Sequence, residues 1–132
     1  QHKSASAYNT PPVFGIYMLG LVIKWIIDQG GLKEMGRRNL CKSKLIYDLI
    51  DSSEFYRGHA VTEDRSRMNV TFRLPEAELE QTFVEQANLN ELSELRGHRS
   101  VGGIRASIYN AFPDKGVEQL VSFMKEFERI NG

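Results

Sequence analysis

The stretch Arg67–Leu74, RMNVTFRL, alternates without a break: Met68, Val70, Phe72 and Leu74 are apolar, while Arg67, Asn69, Thr71 and Arg73 are polar. A two-residue period sends successive side chains to opposite faces. This segment therefore predicts a strand with one face toward a core and one toward water. Ile104–Tyr109 repeats the pattern, with Ile104, Ala106 and Ile108 on one face and Arg105, Ser107 and Tyr109 on the other. A sheet that is apolar on one side only must bury that side against another layer.

The rest of the sequence supplies that layer as helices. Leu32, Met35, Leu40, Leu45, Ile46, Leu49 and Ile50 recur at helical spacing, predicting a helix over about residues 32–50, with Gly36 weakening its start. Pro75–Glu76 opens another through about Gln86, with Leu79 and Phe83 four apart. Pro113–Asp114 opens the last, whose stripe of Val117, Leu120, Val121, Phe123, Met124 and Phe127 runs to Asn131–Gly132. A short strand is expected around Leu92–Arg96. The fold class expected is α+β: a two-layer small domain with helices on one face of a small sheet.

The segment VFGIYMLGLVIKWIIDQGG fits this domain poorly. Thr10 is its expected N-cap, Pro11 its first helical position and Gly30–Gly31 its stop. It is too short to span a membrane, which takes about 20 apolar residues, and Lys24 interrupts it. It is also too apolar all round for the outside of a small domain. The expectation is a helix that packs on protein outside this chain and leaves the face around Ile16, Leu19, Ile23 and Ile26 exposed.

Charge narrows the choice of partner. Across 132 residues, 17 basic and 17 acidic side chains cancel, so no global field exists to hold nucleic acid or an anionic membrane. Anion recognition, if present, is local. The single cysteine, Cys41, excludes an intrachain disulfide, favours a reducing cytoplasmic setting and is expected to be a buried, inert thiol. His2, His59 and His98 lack metal-ligand spacing, so no metal site is expected.

One local feature stands out in LRGHRSVGGIRASIYNA, residues 95–111. His98, Arg99 and Arg105 are cationic or can become so, and they repel one another unless solvated or gathered around an anion. If Arg105 points to the polar face of its strand, it can share a ligand with Arg99 only if the chain folds between them. Gly102–Gly103 permits such a fold, because glycine takes positive φ without strain. The expected geometry is a loop carrying His98 and Arg99, a glycine turn, then a strand presenting Arg105 toward the same cleft. Two arginines would suit a ligand with two acidic groups. The other reading is a set of solvated charges, each paired with a nearby carboxylate such as Glu94. Asn9–Thr10, ahead of a helix start with free N–H groups, is a second place for a phosphate, or else a plain cap. Arg65 and Arg67 are read as structural or rim charges.

NTPP before an apolar helix, RSRMNVTFRL, and above all GHRSVGGIRASIYNA resemble the C-terminal portion of the phosphoserine aminotransferases, fold-type I enzymes dependent on pyridoxal 5'-phosphate. The resemblance covers about residues 9–131. It implies that His98 and Arg99 bind the phosphate of phosphoserine or 3-phosphohydroxypyruvate and that Arg105 clamps the α-carboxylate. It also implies that Asn9 and Thr10 reach the cofactor phosphate of a neighbouring subunit in a homodimer. Amino transfer with glutamate and 2-oxoglutarate, in serine biosynthesis and in the cytoplasm, follows from the same resemblance. Residues 1–31 would then be the end of a large domain with its connecting helix, and 32–132 the small domain. The family's Schiff-base lysine lies upstream of the NTPP motif, so no catalytic residue is expected here and the chain alone is expected to be inactive. A non-catalytic anion-binding or interaction module of the same fold is the alternative.

Overall fold

The computed structural model describes residues 9–132. In chain order it contains α1 (Val13–Asp28), α2 (Gly31–Ser52), β1 (Arg57–Gly58), a 3-10 turn (Thr62–Asp64), β2 (Asn69–Arg73), α3 (Ala77–Leu89), β3 (Ile104–Ser107) and α4 (Asp114–Asn131). The chain divides into two compact units, one ending at Gly36 and the other Arg37–Gly132.

In the second unit the alternating segments pair as their period demands. The sheet has the order β1-β2-β3 and is antiparallel throughout. Val70 faces Ala106 and Phe72 faces Ile104 across the ladder, and all four are buried. Their neighbours Asn69, Thr71, Arg73, Arg105 and Ser107 are half-buried on the other face. The apolar face joins Ile46 and Ile50 of α2, Phe83, Val84 and Ala87 of α3, and Val117, Leu120, Met124 and Phe127 of α4 in one core. This is the α+β two-layer arrangement the periodicity predicts.

Aromatic edge-to-face contacts knit the core together. Phe83 meets Phe72 at 5.9 Å, Phe123 at 5.0 Å and Phe127 at 5.0 Å between ring centres. Tyr56 packs on Phe72 and donates its hydroxyl proton to the Met124 carbonyl at 2.8 Å. Burial, with Glu128 adding to it, pushes the Tyr56 phenol well above its ordinary pKa, so it remains a donor. Arg65 is structural, as expected: it forks onto Asp51 with two contacts of 2.7 Å and lies 4.6 Å from the Tyr47 ring centre.

Three expectations need correction. Thr10 does not cap α1: Pro12 holds that place without a side-chain bond, and helix begins at Val13. Pro11 precedes another proline, whose ring disfavours helical backbone at Pro11, so the helix cannot start there. The strand expected at Leu92–Arg96 is a single bridge, Arg96 to Ile104. Glu91 and Glu94 both take positive φ (62° and 61°), which breaks an extended run. Cys41 is exposed, because the buried face of α2 carries Asn39, Lys42, Ser43, Ile46 and Ile50 instead.

In the first unit, α1 has no buried residue: Phe14 is 77% exposed and Leu19 59%. Ile16 and Ile23 are exposed with them, whereas Ile26 is half-buried. Gly30 and Gly31 (φ 101° and 78°) separate α1 from α2. Among the described residues no single helix is long and apolar enough to cross a membrane.

Replacing Phe83 by Ala should cost the second unit about 3–5 kcal/mol, by loss of transfer energy and by the cavity left among the rings. Denaturant unfolding followed by circular dichroism measures it, and a loss below about 1 kcal/mol would place Phe83 outside the core.

Candidate functional site

The loop from Gly97 to Gly103 is closed by its own backbone. Gly97 N–H donates to the Gly103 carbonyl at 2.8 Å, and the His98 carbonyl accepts from Val101 at 2.8 Å and Gly102 at 2.7 Å. Glycine is required on both sides of this closure. A Cβ on Gly97 would sit 2.0 Å from the Gly102 carbonyl oxygen. Gly102 and Gly103 both have φ of +74°, which side chains rarely adopt. The chain thus turns back, as the double glycine predicted, and re-enters the sheet as β3.

The turn leaves His98 and Arg99 exposed on the loop and sets Arg105 on the outer face of β3, opposite Thr71. His98 Nδ1 accepts the Ser100 N–H at 3.3 Å and lies 2.7 Å from the Ser100 hydroxyl. An Nδ1 used as acceptor leaves Nε2 to carry the proton in the neutral ring, so the ring offers a donor outward. Arg105 differs from the other half-buried arginines. Arg65 is paired with Asp51 and Arg73 with Glu80, but Arg105 has no carboxylate partner among the described residues; its buried Nε, like that of Arg65, lacks an acceptor. Arg99 likewise has no ion pair among them. Glu94 neutralises neither.

The single cleft expected for these three side chains is not formed, because the closed loop stands between Arg99 and Arg105. Arg99 and His98 line a cleft of about 360 Å³ with Glu80, Gln81 and Arg96. Arg105 and His98 line a second, of about 170 Å³, with His59, Thr71 and Arg73. His98, Gly97 and Gly102 belong to both, so the loop is the wall between them. The arrangement offers two separate cationic positions joined by a histidine, which suits an anion with groups at two ends more than a single compact ion.

Sequence reasoning missed three residues here. Arg73 and Glu80 lie against the glycine turn, and His59 lines the Arg105 cleft. Only long-range pairing brings them in, since β1 is two residues long and shows no alternation of its own.

Asn9 and Thr10 are exposed just ahead of α1, where the Val13 N–H donates to the Pro11 carbonyl at 2.8 Å and no side chain caps the amides that follow. Such an end can hold the phosphate of a cofactor. A covalent anchor is another matter. Among the described lysines only Lys42 is buried, and its Nζ donates to the carbonyls of Ile108 (3.2 Å), Tyr109 (2.7 Å) and Phe112 (3.1 Å). Burial lowers the Lys42 pKa and Asp114 opposes that shift. Its ammonium fastens the end of β3; it is not free for chemistry. The described residues therefore fit the anionic end of pyridoxal phosphate but present no free buried amine to bind it covalently.

The family model for class-V aminotransferases matches residues 1–120. The chain belongs to this family. It is similar to phosphoserine aminotransferase of Desulfosudis oleivorans, 58% identical over 98% of this chain and 36% of the relative, and to that of Nitrosomonas europaea, 56% identical over 96% and 34%. Among solved structures, phosphoserine aminotransferase from Bacillus circulans subsp. alkalophilus matches with a TM-score of 0.91 at 53% identity, over 98% of this chain and 36% of that one. A PLP-bound phosphoserine aminotransferase from Trichomonas vaginalis matches with a TM-score of 0.85 at 41% identity, over 95% and 36%. This class-V aminotransferase chain thus spans about a third of the length of the relatives it matches.

Changing Gly103 to Ala in this chain should cost about 1–3 kcal/mol for backbone strain alone. Its Cβ would also meet the Phe72 carbonyl oxygen at 2.9 Å. Urea unfolding reads this, and an unchanged midpoint would mean the turn is not held at positive φ.

Proposed function

We propose that this chain is the C-terminal part of a pyridoxal-phosphate-dependent phosphoserine aminotransferase and supplies the substrate's anion-binding groups. The single observation that carries the reading is Arg105, half-buried with an unpartnered Nε on the far side of the glycine loop from Arg99. In this reading the Arg105 guanidinium takes the α-carboxylate of phosphoserine or 3-phosphohydroxypyruvate. His98, through Nε2–H, and Arg99 take the phosphate, and glutamate and 2-oxoglutarate are the second substrate pair. Orientation is the chain's contribution. Two anion clamps at fixed separation hold the substrate's central carbon in one place and exclude other poses. Bound pyridoxal phosphate supplies the electron sink for exchanging an amino group between an amino acid and a 2-oxo acid.

Asn9 and Thr10, with the first amides of α1, hold the cofactor phosphate of the neighbouring subunit in a homodimer. Residues 1–31 then belong with the large domain, which covers the bare α1, and residues 32–132 form the small domain. The amine that anchors the cofactor comes from outside this chain, so the chain alone does not transaminate. The enzyme works in the cytoplasm, in serine biosynthesis, without nucleic acid or membrane.

Steady-state kinetics of the intact, cofactor-loaded protein test this. Arg99→Ala and Arg105→Ala should each lower kcat/KM for phosphoserine by about 10- to 100-fold, the loss of one charge-assisted contact. Values within twofold of the parent for both variants would refute the assignment.

A further inference from the structure

Arg73 stands directly opposite Arg57 in the β1–β2 ladder, a like-charge pair that disfavours strand pairing unless one member is neutralised. Arg73 turns away, toward the glycine loop. Its Nη2 donates to the Val101 carbonyl and its Nη1 lies 3.5 Å from Glu80 Oε2. The same Glu80 oxygen accepts the Gly103 N–H at 3.1 Å. One carboxylate from α3 and one guanidinium from β2 therefore hold the loop at two backbone groups. The fit is close: a Cβ on Gly102 would lie 3.0 Å from Arg73 Nη1, and one on Gly103 would lie 3.1 Å from Arg73 Cδ. Glu80 is largely buried, with 15% of its side chain exposed, so its contacts are poorly screened.

We propose that Arg73 and Glu80 are positioning residues for substrate phosphate. They pin the Gly102–Gly103 turn so that His98 and Arg99 are already in place when the phosphate arrives. The inference rests on the reading of His98 and Arg99 as the phosphate site. Freed of the pair, the loop retains its own closing bonds but loses its attachment to the sheet and to α3. Ordering it then falls on the binding step, so the loss appears in KM. Arg105 is held by the β2–β3 ladder and keeps its place, which leaves kcat nearly unchanged.

Glu80 makes this testable by sign. It lines the same cleft as Arg99, so if it acted only through its charge, removing it would improve phosphate binding. Positioning predicts the opposite. In the intact cofactor-loaded protein, E80A and E80Q should raise KM for phosphoserine, E80A by about tenfold, with kcat within about twofold of the parent. R73A should also raise KM, but it removes a cation that lines the Arg105 cleft as well, so the Glu80 variants decide the sign. R73K keeps that charge and should recover part of the loss because an ammonium can still donate to one of the two acceptors. Melting midpoints and cofactor absorbance, recorded on every variant, show that each is folded and loaded; E80Q, which retains an acceptor for Gly103, is the mildest. R99A serves as the reference. If R99A raises KM while both Glu80 variants leave it unchanged or lower it, the positioning role is overturned. If R99A itself leaves KM unchanged, the phosphate assignment fails and this inference falls with it.

Discussion

The pairing of β2 with β3 determines two surfaces together. Val70 with Ala106 and Phe72 with Ile104 close the core, and the same register sets Thr71 beside Arg105 on the opposite face. A slip of β3 by one residue would turn Arg105 toward the core and expose Ile104 and Ala106, which burial energy forbids. The place of Arg105 is thus decided by the hydrophobic residues on either side of it. Lys42 fastens the turn just past β3 by donating to the carbonyls of Ile108, Tyr109 and Phe112, and this cationic cap is fully engaged.

The second constraint is the closed loop ahead of β3. Its amide bonds, its two left-handed glycines and the Arg73–Glu80 pair keep Arg99 and Arg105 in separate clefts, with His98 lining both. In a chain with no net charge, such local cations gain their effect from where they are held and from the want of a carboxylate partner. Arg65 shows the contrasting case, an arginine of the same fold whose two terminal nitrogens are taken by Asp51 while its guanidinium lies over Tyr47.

Much of this was legible in the sequence, for physical reasons. A two-residue period survives only where one face is buried, so β2 and β3 announced themselves, and the stripes of α2 and α4 followed from the need to cover that face. The double glycine announced a turn. The bareness of α1 was readable because no small domain hides a helix that is apolar on every side. What escaped was set by tertiary context. β1 is too short for a pattern, the exposed Cys41 depends on which side of α2 meets the core, and the Arg73–Glu80 pair joins a strand to a helix through a loop. The placement of Arg99 and Arg105 on two sides of the loop, in place of one shared cleft, also lay beyond the sequence, since six residues can turn in many ways.

The central claim is that two cationic positions, separated by the loop, receive the two acidic ends of one substrate. A crystal structure of the intact cofactor-loaded protein with phosphoserine bound tests it most directly. The account predicts phosphate oxygens within hydrogen-bond distance of His98 and Arg99 and the carboxylate on the Arg105 guanidinium. Phosphoserine bound with both acidic groups away from these three side chains would contradict it.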